Sequence, residues 1–108
     1  MIQTRRDVVV RTNAEWAALR EEHHAGPELA PVDFSREMVV GVFLGSKPTA
    51  GWGVTIVSAV EEGGVLRVRY RETAPPPGSI SAQVITFPYA LVAIPTSAAK
   101  DVKFEKVP

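Results

Sequence analysis

The chain contains no cysteine, which excludes disulfides, thiolate metal sites and a cysteine nucleophile. It has no excess of either charge: 12 basic side chains stand against 12 acidic ones. A neutral surface has no net field to draw in a polyanion, so nucleic acid is not an expected partner. Its apolar runs fall far short of the roughly 20 residues a membrane-crossing helix needs. The start, "MIQTRRDVVVRT", has no signal-peptide apolar stretch, so the sequence as it stands reads as cytoplasmic, or as a trimmed mature domain of the cell envelope or exterior. There is no internal repeat and no low-complexity tract. Histidine occurs only as His23 and His24. Neighbours on a helix point about 100° apart and cannot share one ion, so no metal site is expected. Positive charge is favoured at a helix C-terminus, which gives this pair a structural reason to be there.

What is present fits one domain over residues 1–108, long enough to bury a core without staples. "RDVVVR" (Arg6 to Arg11) reads as a short strand. In "TNAEWAALREEHH", Thr12 and Glu15 form a T-x-x-E capping box. Trp16, Leu19 and His23 then share one helical face, and Gly26-Pro27 provides a stop. In "PVDFSRE", Asp33 suits an Asx turn, with Phe34 anchoring the loop into the core. "EMVVGVFLG" (Glu37 to Gly45) is continuously apolar, as a strand covered on both faces must be; Gly41 in its middle marks a bulge or a close neighbour.

Further on, "WGVTIVSAV" (Trp52 to Val60) and "VLRVRYRET" (Val65 to Thr73) flank the turn "EEGG" and predict a hairpin. Leu66, Val68 and Tyr70 alternate with Arg67, Arg69 and Arg71, so one face is apolar and the other cationic. "APPPGS" (Ala74 to Ser79) reads as a stiff extended connection. "AQVITFPYALVAI" (Ala82 to Ile94) reads as a strand in which Pro88 marks a bulge, bend or edge, and "VKFEKV" (Val102 to Val107) as a last strand. The expectation is a small α+β domain: an N-terminal helix on a mostly antiparallel twisted sheet or half-barrel of about six strands. Short connections favour antiparallel neighbours. A β-sandwich is the alternative.

Catalytic signatures fail on inspection. "GVFLGSKPT" resembles a P-loop, but Ser46 precedes Lys47 and Pro48 follows it, where glycine and Ser/Thr are required. "SAAK" (Ser97 to Lys100) matches S-x-x-K without its companion motifs and reads as a surface link. The acidic pairs Glu21-Glu22 and Glu61-Glu62 read as solvated, with no pocket to shift a carboxyl pKa. No catalytic residue and no cofactor is therefore expected.

One loop is harder to set aside. In "GSKPTAGWGVTI" (Gly45 to Ile56), glycines flank Trp52 on both sides and Pro48 stiffens the approach. Aromatic residues make up 7% of the chain, so an indole spent in a turn stands out. It either caps the core from the loop or is held outward as an anchor for a partner. The candidate binding residues are Lys47, Pro48, Thr49, Gly51 and Trp52, with Pro75, Pro76, Pro77 and Gly78 nearby. A second candidate is the face of Arg67, Arg69 and Arg71, suited to carboxylates of a small ligand.

These segments carry a family resemblance. "VDFSREMVVGVFLGSKPTAGWGVTI", "LRVRYRETAPPPG" and "FPYALVAIP" resemble the PrcB C-terminal domain family, small bacterial domains named after a subunit of a surface protease complex. The likeness spans about Val32 to Phe104. Its most specific parts are Asp33-Phe34, the loop from Gly45 to Trp52, Pro75–Gly78, and Pro88-Tyr89. It implies a non-catalytic protein that binds a protease or an envelope complex; family members often follow an export or lipoprotein signal. The loop is also similar to the N-P-T-T-G-Y/F loop of chagasin-type cysteine-protease inhibitors, with Pro48, Thr49, Gly51 and Trp52 matching. Lys47 replaces the asparagine and Ala50 the second threonine. "EEGG" would be a second inhibitor loop; the third, R-P-W, has no match, and "APPPGS" is nearest to it in composition.

Overall fold

In the computed structural model of the chain, described for residues 2–23 and 31–108, the elements run β1 (Arg6–Val10), α1 (Asn13–His23), β2 (Glu37–Phe43), β3 (Gly53–Glu62), β4 (Val65–Thr73), β5 (Tyr89–Pro95) and β6 (Asp101–Val107). The six strands form two open sheets of three, ordered β1-β2-β5 and β3-β4-β6; the expectation was a single sheet or half-barrel, with a two-sheet sandwich as the alternative.

The reason is visible in β2. Its odd-numbered residues Val39 and Phe43 pack with Trp16 and Leu19 of α1, while Met38, Val40, Val42 and Leu44 pack with Leu66, Val68 and Tyr70 of β4. A strand with a helix on one face and a sheet on the other needs apolar residues at every position. Gly41 is the exception because β5 and β1 lie too close: a Cβ there would sit 2.4 Å from Leu91 Cδ2 and 2.8 Å from the Ala90 carbonyl oxygen.

The helix starts as its sequence dictates. The Glu15 amide donates to Thr12 Oγ1 (3.1 Å), and the Glu15 carboxylate accepts from the Arg11 amide (3.1 Å). Its Gly26-Pro27 stop, and His24 with it, lies outside the described residues. Phe34 packs edge-on to Trp16, the ring centroids 6.4 Å apart. Before β2, Asp33 makes the expected Asx turn: the hydroxyl and then the amide of Ser35 donate to it and hold its carboxyl below the usual range.

The β3–β4 hairpin turns through Gly63 and Gly64, whose φ of +58° and +80° meet the type I′ requirement. A bulge at Val57, between Ile56 and Ser58, shifts the register. It lets Ile56 and Ala59 both face the core despite their odd spacing.

Three expectations fail here. β6 pairs parallel with β4, because the intervening β5 belongs to the other sheet and carries the chain back between them. Residues 82–88 form no strand: β5 begins at Tyr89, after Pro88, which has no N–H to offer a ladder. "APPPGS" is not extended throughout. The Ser79 amide donates to Pro76 O (3.0 Å) with Gly78 at φ +79°, the geometry of a type II turn with proline at its second position.

Ser97 is no surface link either. It is buried; its hydroxyl donates to Glu61 and accepts from the Ala99 amide (3.2 Å). The Arg11 guanidinium donates to the carbonyls of Ser97 and Ala99. This latch joins β1, the β3–β4 hairpin and the β5–β6 connection, and gives Glu61 a protein partner where solvent was expected.

Candidate functional site

The loop from Gly45 to Trp52 is tied down along its length. Gly45, at φ +79°, presses on the N-terminal segment so closely that a Cβ would lie 2.9 Å from backbone atoms of Gln3, Thr4 and Arg5. The Ser46 amide donates to Gln3 O (3.0 Å). Lys47 and Thr86 exchange both backbone hydrogen bonds (2.8 and 2.9 Å), and the Ala50 amide donates to Ala82 O (3.0 Å). The Thr86 hydroxyl donates to Thr49 O (2.9 Å). The loop is thus zipped to the segment before β5. The β2–β5 ladder continues past Pro88 with one extra residue on the loop side, since Phe43 faces Tyr89 and Lys47 faces Thr86. Pro88 stands opposite this extra residue and leads into the edge strand β5, where a missing amide is tolerated.

Trp52 matches neither reading of the sequence. It is half-buried and stands apart from the buried core clusters. Its indole N–H donates to Thr49 Oγ1 (3.1 Å), and that hydroxyl in turn donates to Ala50 O (3.0 Å). Lys47 Nζ lies 4.7 Å from the ring centroid, within cation–π range. The ring is therefore held in one place by its own loop while part of it stays in contact with solvent.

Beside it opens a groove of about 360 Å³, lined by Trp52, Gly53, Val54, Thr86, Phe87, Pro88 and Tyr89. Gly51, at φ +96°, brings the loop against Pro75, where a Cβ would sit 2.8 Å from Pro75 Cγ. So Lys47, Thr49, Gly51, Trp52 and Pro75 share one end of the domain, with Pro76, Pro77 and Gly78 exposed beyond. The hairpin tip Glu61–Gly64 does not join them. It lies at the other end of ten-residue β3, roughly 30 Å away at ~3.3 Å per residue, so the loops do not converge as the inhibitor likeness implied.

The arginine stripe lies on the outer face of β4, as alternation predicted. Its charges are partly answered: Arg67 pairs with Glu105 of β6 (3.0 Å), and Arg71 Nε donates to Pro108 O (3.0 Å). Arg69 has no ion pair among the described residues.

Sequence reasoning did not anticipate the aromatic side of the groove. Tyr89 stacks on Phe43 (centroids 5.7 Å) and meets the His23 ring edge-on (4.2 Å); His23 also meets Phe43 (5.3 Å). The signals were Pro88-Tyr89 in the family likeness and His23 on the buried helical face. His23 is 4% exposed and its Nε2 has no hydrogen-bond partner among the described residues. Burial lowers its pKa from the ordinary 6.5, so it sits neutral among the rings and is not the helix-end cation expected. The unfolded chain then binds a proton that the folded chain refuses. Stability should be full above about pH 6.5 and fall as pH drops below it toward the folded-state value. His23→Leu should flatten that part of a stability-versus-pH curve, measured by urea unfolding; an unchanged slope would contradict the assignment.

The model of the PrcB C-terminal family matches residues 38–95. The chain belongs to the PrcB C-terminal family. The matched span runs from the second residue of β2 to the end of β5, so it contains the Gly45–Trp52 loop, the Pro75–Gly78 turn and every groove residue. No curated protein and no solved structure matches the chain.

Proposed function

We propose that this PrcB C-terminal domain is a non-catalytic protein-binding module, a subunit or modulator of a protease or cell-envelope complex, which engages its partner through the end of the domain that carries Trp52. The observation behind this reading is the state of Trp52 itself: an indole fixed by Thr49 and Lys47, part-exposed, at the edge of an open groove with aromatic walls. A pre-ordered aromatic anchor loses little entropy on binding and is a typical hot spot. Family membership supports the protease context.

The test is binding to a protease encoded beside this protein, measured by calorimetry. Trp52→Ala should weaken the complex by about 30-fold or more, the loss of a hot-spot residue, with its unfolding curve close to that of the parent. A well-folded Trp52→Ala that binds as the parent does would remove the reading. Loss of folding in that variant would make Trp52 a structural cap, and Tyr89→Ala then tests the same surface from its other wall. Arg69→Glu, on the far face of β4, serves as the control and should bind normally; weakened binding would shift attention to the arginine stripe.

A further inference from the structure

Four strands end the two sheets: β1 and β5 in one, β3 and β6 in the other. An end strand carries unpaired backbone groups that invite another chain, unless charge, proline or a bulge blunts it. Three of the four are blunted. β1 is five residues long and carries Arg6 and Asp7. β6 carries Asp101, Lys103, Glu105 and Lys106. β3 is broken by its bulge at Val57 and ends on Glu61 and Glu62. β5 has none of these devices from Tyr89 to Ile94, and no charged side chain occurs anywhere between Glu72 and Lys100. Ile80, Val84, Ile85, Tyr89 and Val92 are exposed within that run.

The backbone of β5 can be sorted by direction. In an antiparallel ladder, alternate residues bond the same neighbour. The Leu44 amide donates to Pro88 O (3.0 Å) and the Thr96 amide to Arg36 O (2.9 Å), so the even-numbered residues from 88 to 96 face β2. Thr86 spends its amide and carbonyl on Lys47. Phe87, Tyr89, Leu91 and Ala93 therefore turn N–H and C=O away from β2, and no strand pairs with them there. The prolines fit this arrangement. The missing N–H of Pro88 falls on the β2 side and leaves the outward row intact, whereas Pro95 falls on the outward side and ends it.

The edges of β3 and β5 flank the groove, through Gly53 and Val54 on one side and Phe87 and Tyr89 on the other. At the far end, the Ser97 hydroxyl donates to Glu61 and ties the two strands together. The seam between the sheets is closed there and open beside Trp52. No residue lining it is charged, and burying a charge among them would cost its hydration.

We propose that the open edge of β5 receives an extended strand from a protein partner, an uncharged segment with apolar residues at alternate positions. Its backbone pairs with Phe87, Tyr89, Leu91 and Ala93, and the side chains it turns into the groove pack on Trp52 and Val54. Main-chain pairing supplies affinity and the side-chain contacts supply preference. This rests on the reading that the Trp52 end of the domain is a protein-binding surface, and it adds how the partner is held.

The experiment is an NMR titration of the whole chain, with amide hydrogen exchange, using a short acetylated and amidated peptide of alternating threonine and valine, up to about 1 mM. In the free chain the amides of Phe87, Tyr89, Leu91 and Ala93 should exchange quickly, and those of Ala90, Val92 and Ile94 slowly. With peptide at about ten times its dissociation constant, the first set should slow about tenfold and the second stay as it was. Ala93→Pro removes an outward N–H and spares the β2 ladder, so the urea midpoint should hold while peptide affinity falls about tenfold. Unchanged affinity in that variant, or no saturable shift at the outward residues, overturns the proposal. So does a shift of the Trp52 indole without slowed exchange of the outward amides, which would mean docking without a ladder. Equal binding of a peptide with lysine in place of valine, or of one methylated at every backbone nitrogen, overturns it as well. Shifts that follow protein concentration with no peptide present would give the edge to a second copy and overturn it too. If the peptide fails while Trp52→Ala still abolishes binding to the protease, only this proposal falls. If the peptide pairs while the protease ignores Trp52, the strand site stands and the protease reading falls.

Discussion

Replacing Phe43 by alanine is expected to lower the unfolding free energy by about 3–5 kcal/mol, the range for deleting a buried aromatic ring. Phe43 is 2% exposed and belongs to the cluster that holds α1 on the first sheet. Its ring contacts His23 from the last turn of α1 and Tyr89 from the first residue of β5. Its backbone is fixed between Arg6 of β1 and Tyr89 of β5, so the site cannot collapse easily around the lost volume, and the cost should sit in the upper part of the range. Domains have only about 5–15 kcal/mol to lose. Urea unfolding should show a lower midpoint with an unchanged slope. The groove should suffer as well, because Tyr89 would lose the ring it stacks on. A loss below about 1 kcal/mol would mean that the helix and β5 are not held together at this point.

How much of this was legible in the sequence depended on how local each cause is. The capping box, the Trp16–Leu19–His23 face, the Asx turn at Asp33 and the hairpin through Gly63-Gly64 are each decided by residues within a turn of one another, and each appears where its pattern placed it. Gly41 announced a close neighbour, and Leu91 is that neighbour. Strand partnership is different. Nothing local to Val102–Val107 says that β5 will cross to the other sheet and leave β6 parallel to β4. The residues before β5 are apolar enough to read as strand, yet Pro88 and the pairing of Thr86 with the Lys47 loop claim them instead.

The site divides along the same line. Trp52 and its glycines stood out because a turn has no need of an indole. That the indole N–H would be satisfied by Thr49, three residues back, is a local hydrogen bond; the choice between exposed anchor and core plug was open only because the half-buried outcome depends on what lies opposite. What lies opposite, Phe87 to Tyr89, comes from the far side of two strands. His23 shows the converse error. The helix-end argument for a cation is sound for an exposed imidazole, and tertiary burial between two rings reversed it.

Gly45→Ala is the second change expected to cost heavily, and the one that joins stability to the loop. Two costs combine. A non-glycine residue at φ +79° is strained by about 1–2 kcal/mol. The new Cβ would also lie 2.9 Å from backbone atoms of Gln3, Thr4 and Arg5, and backbone cannot step aside as a flexible side chain can. Overpacking of this kind costs about 1–3 kcal/mol more. Gly63→Ala separates the two terms. Gly63 also has positive φ, +58°, but a Cβ there meets nothing within 4 Å, so it should carry the strain alone, about 1–2 kcal/mol. Gly45→Ala should exceed it clearly in urea unfolding. It should also displace the segment that delivers Ile2 to the core and break the Ser46–Gln3 hydrogen bond, shifting the Trp52 emission of a Trp16→Phe background, while Gly63→Ala, at the far end of β3, leaves that emission alone. Equal costs for the two substitutions, with Trp52 undisturbed in both, would mean that the N-terminal segment does not brace the loop.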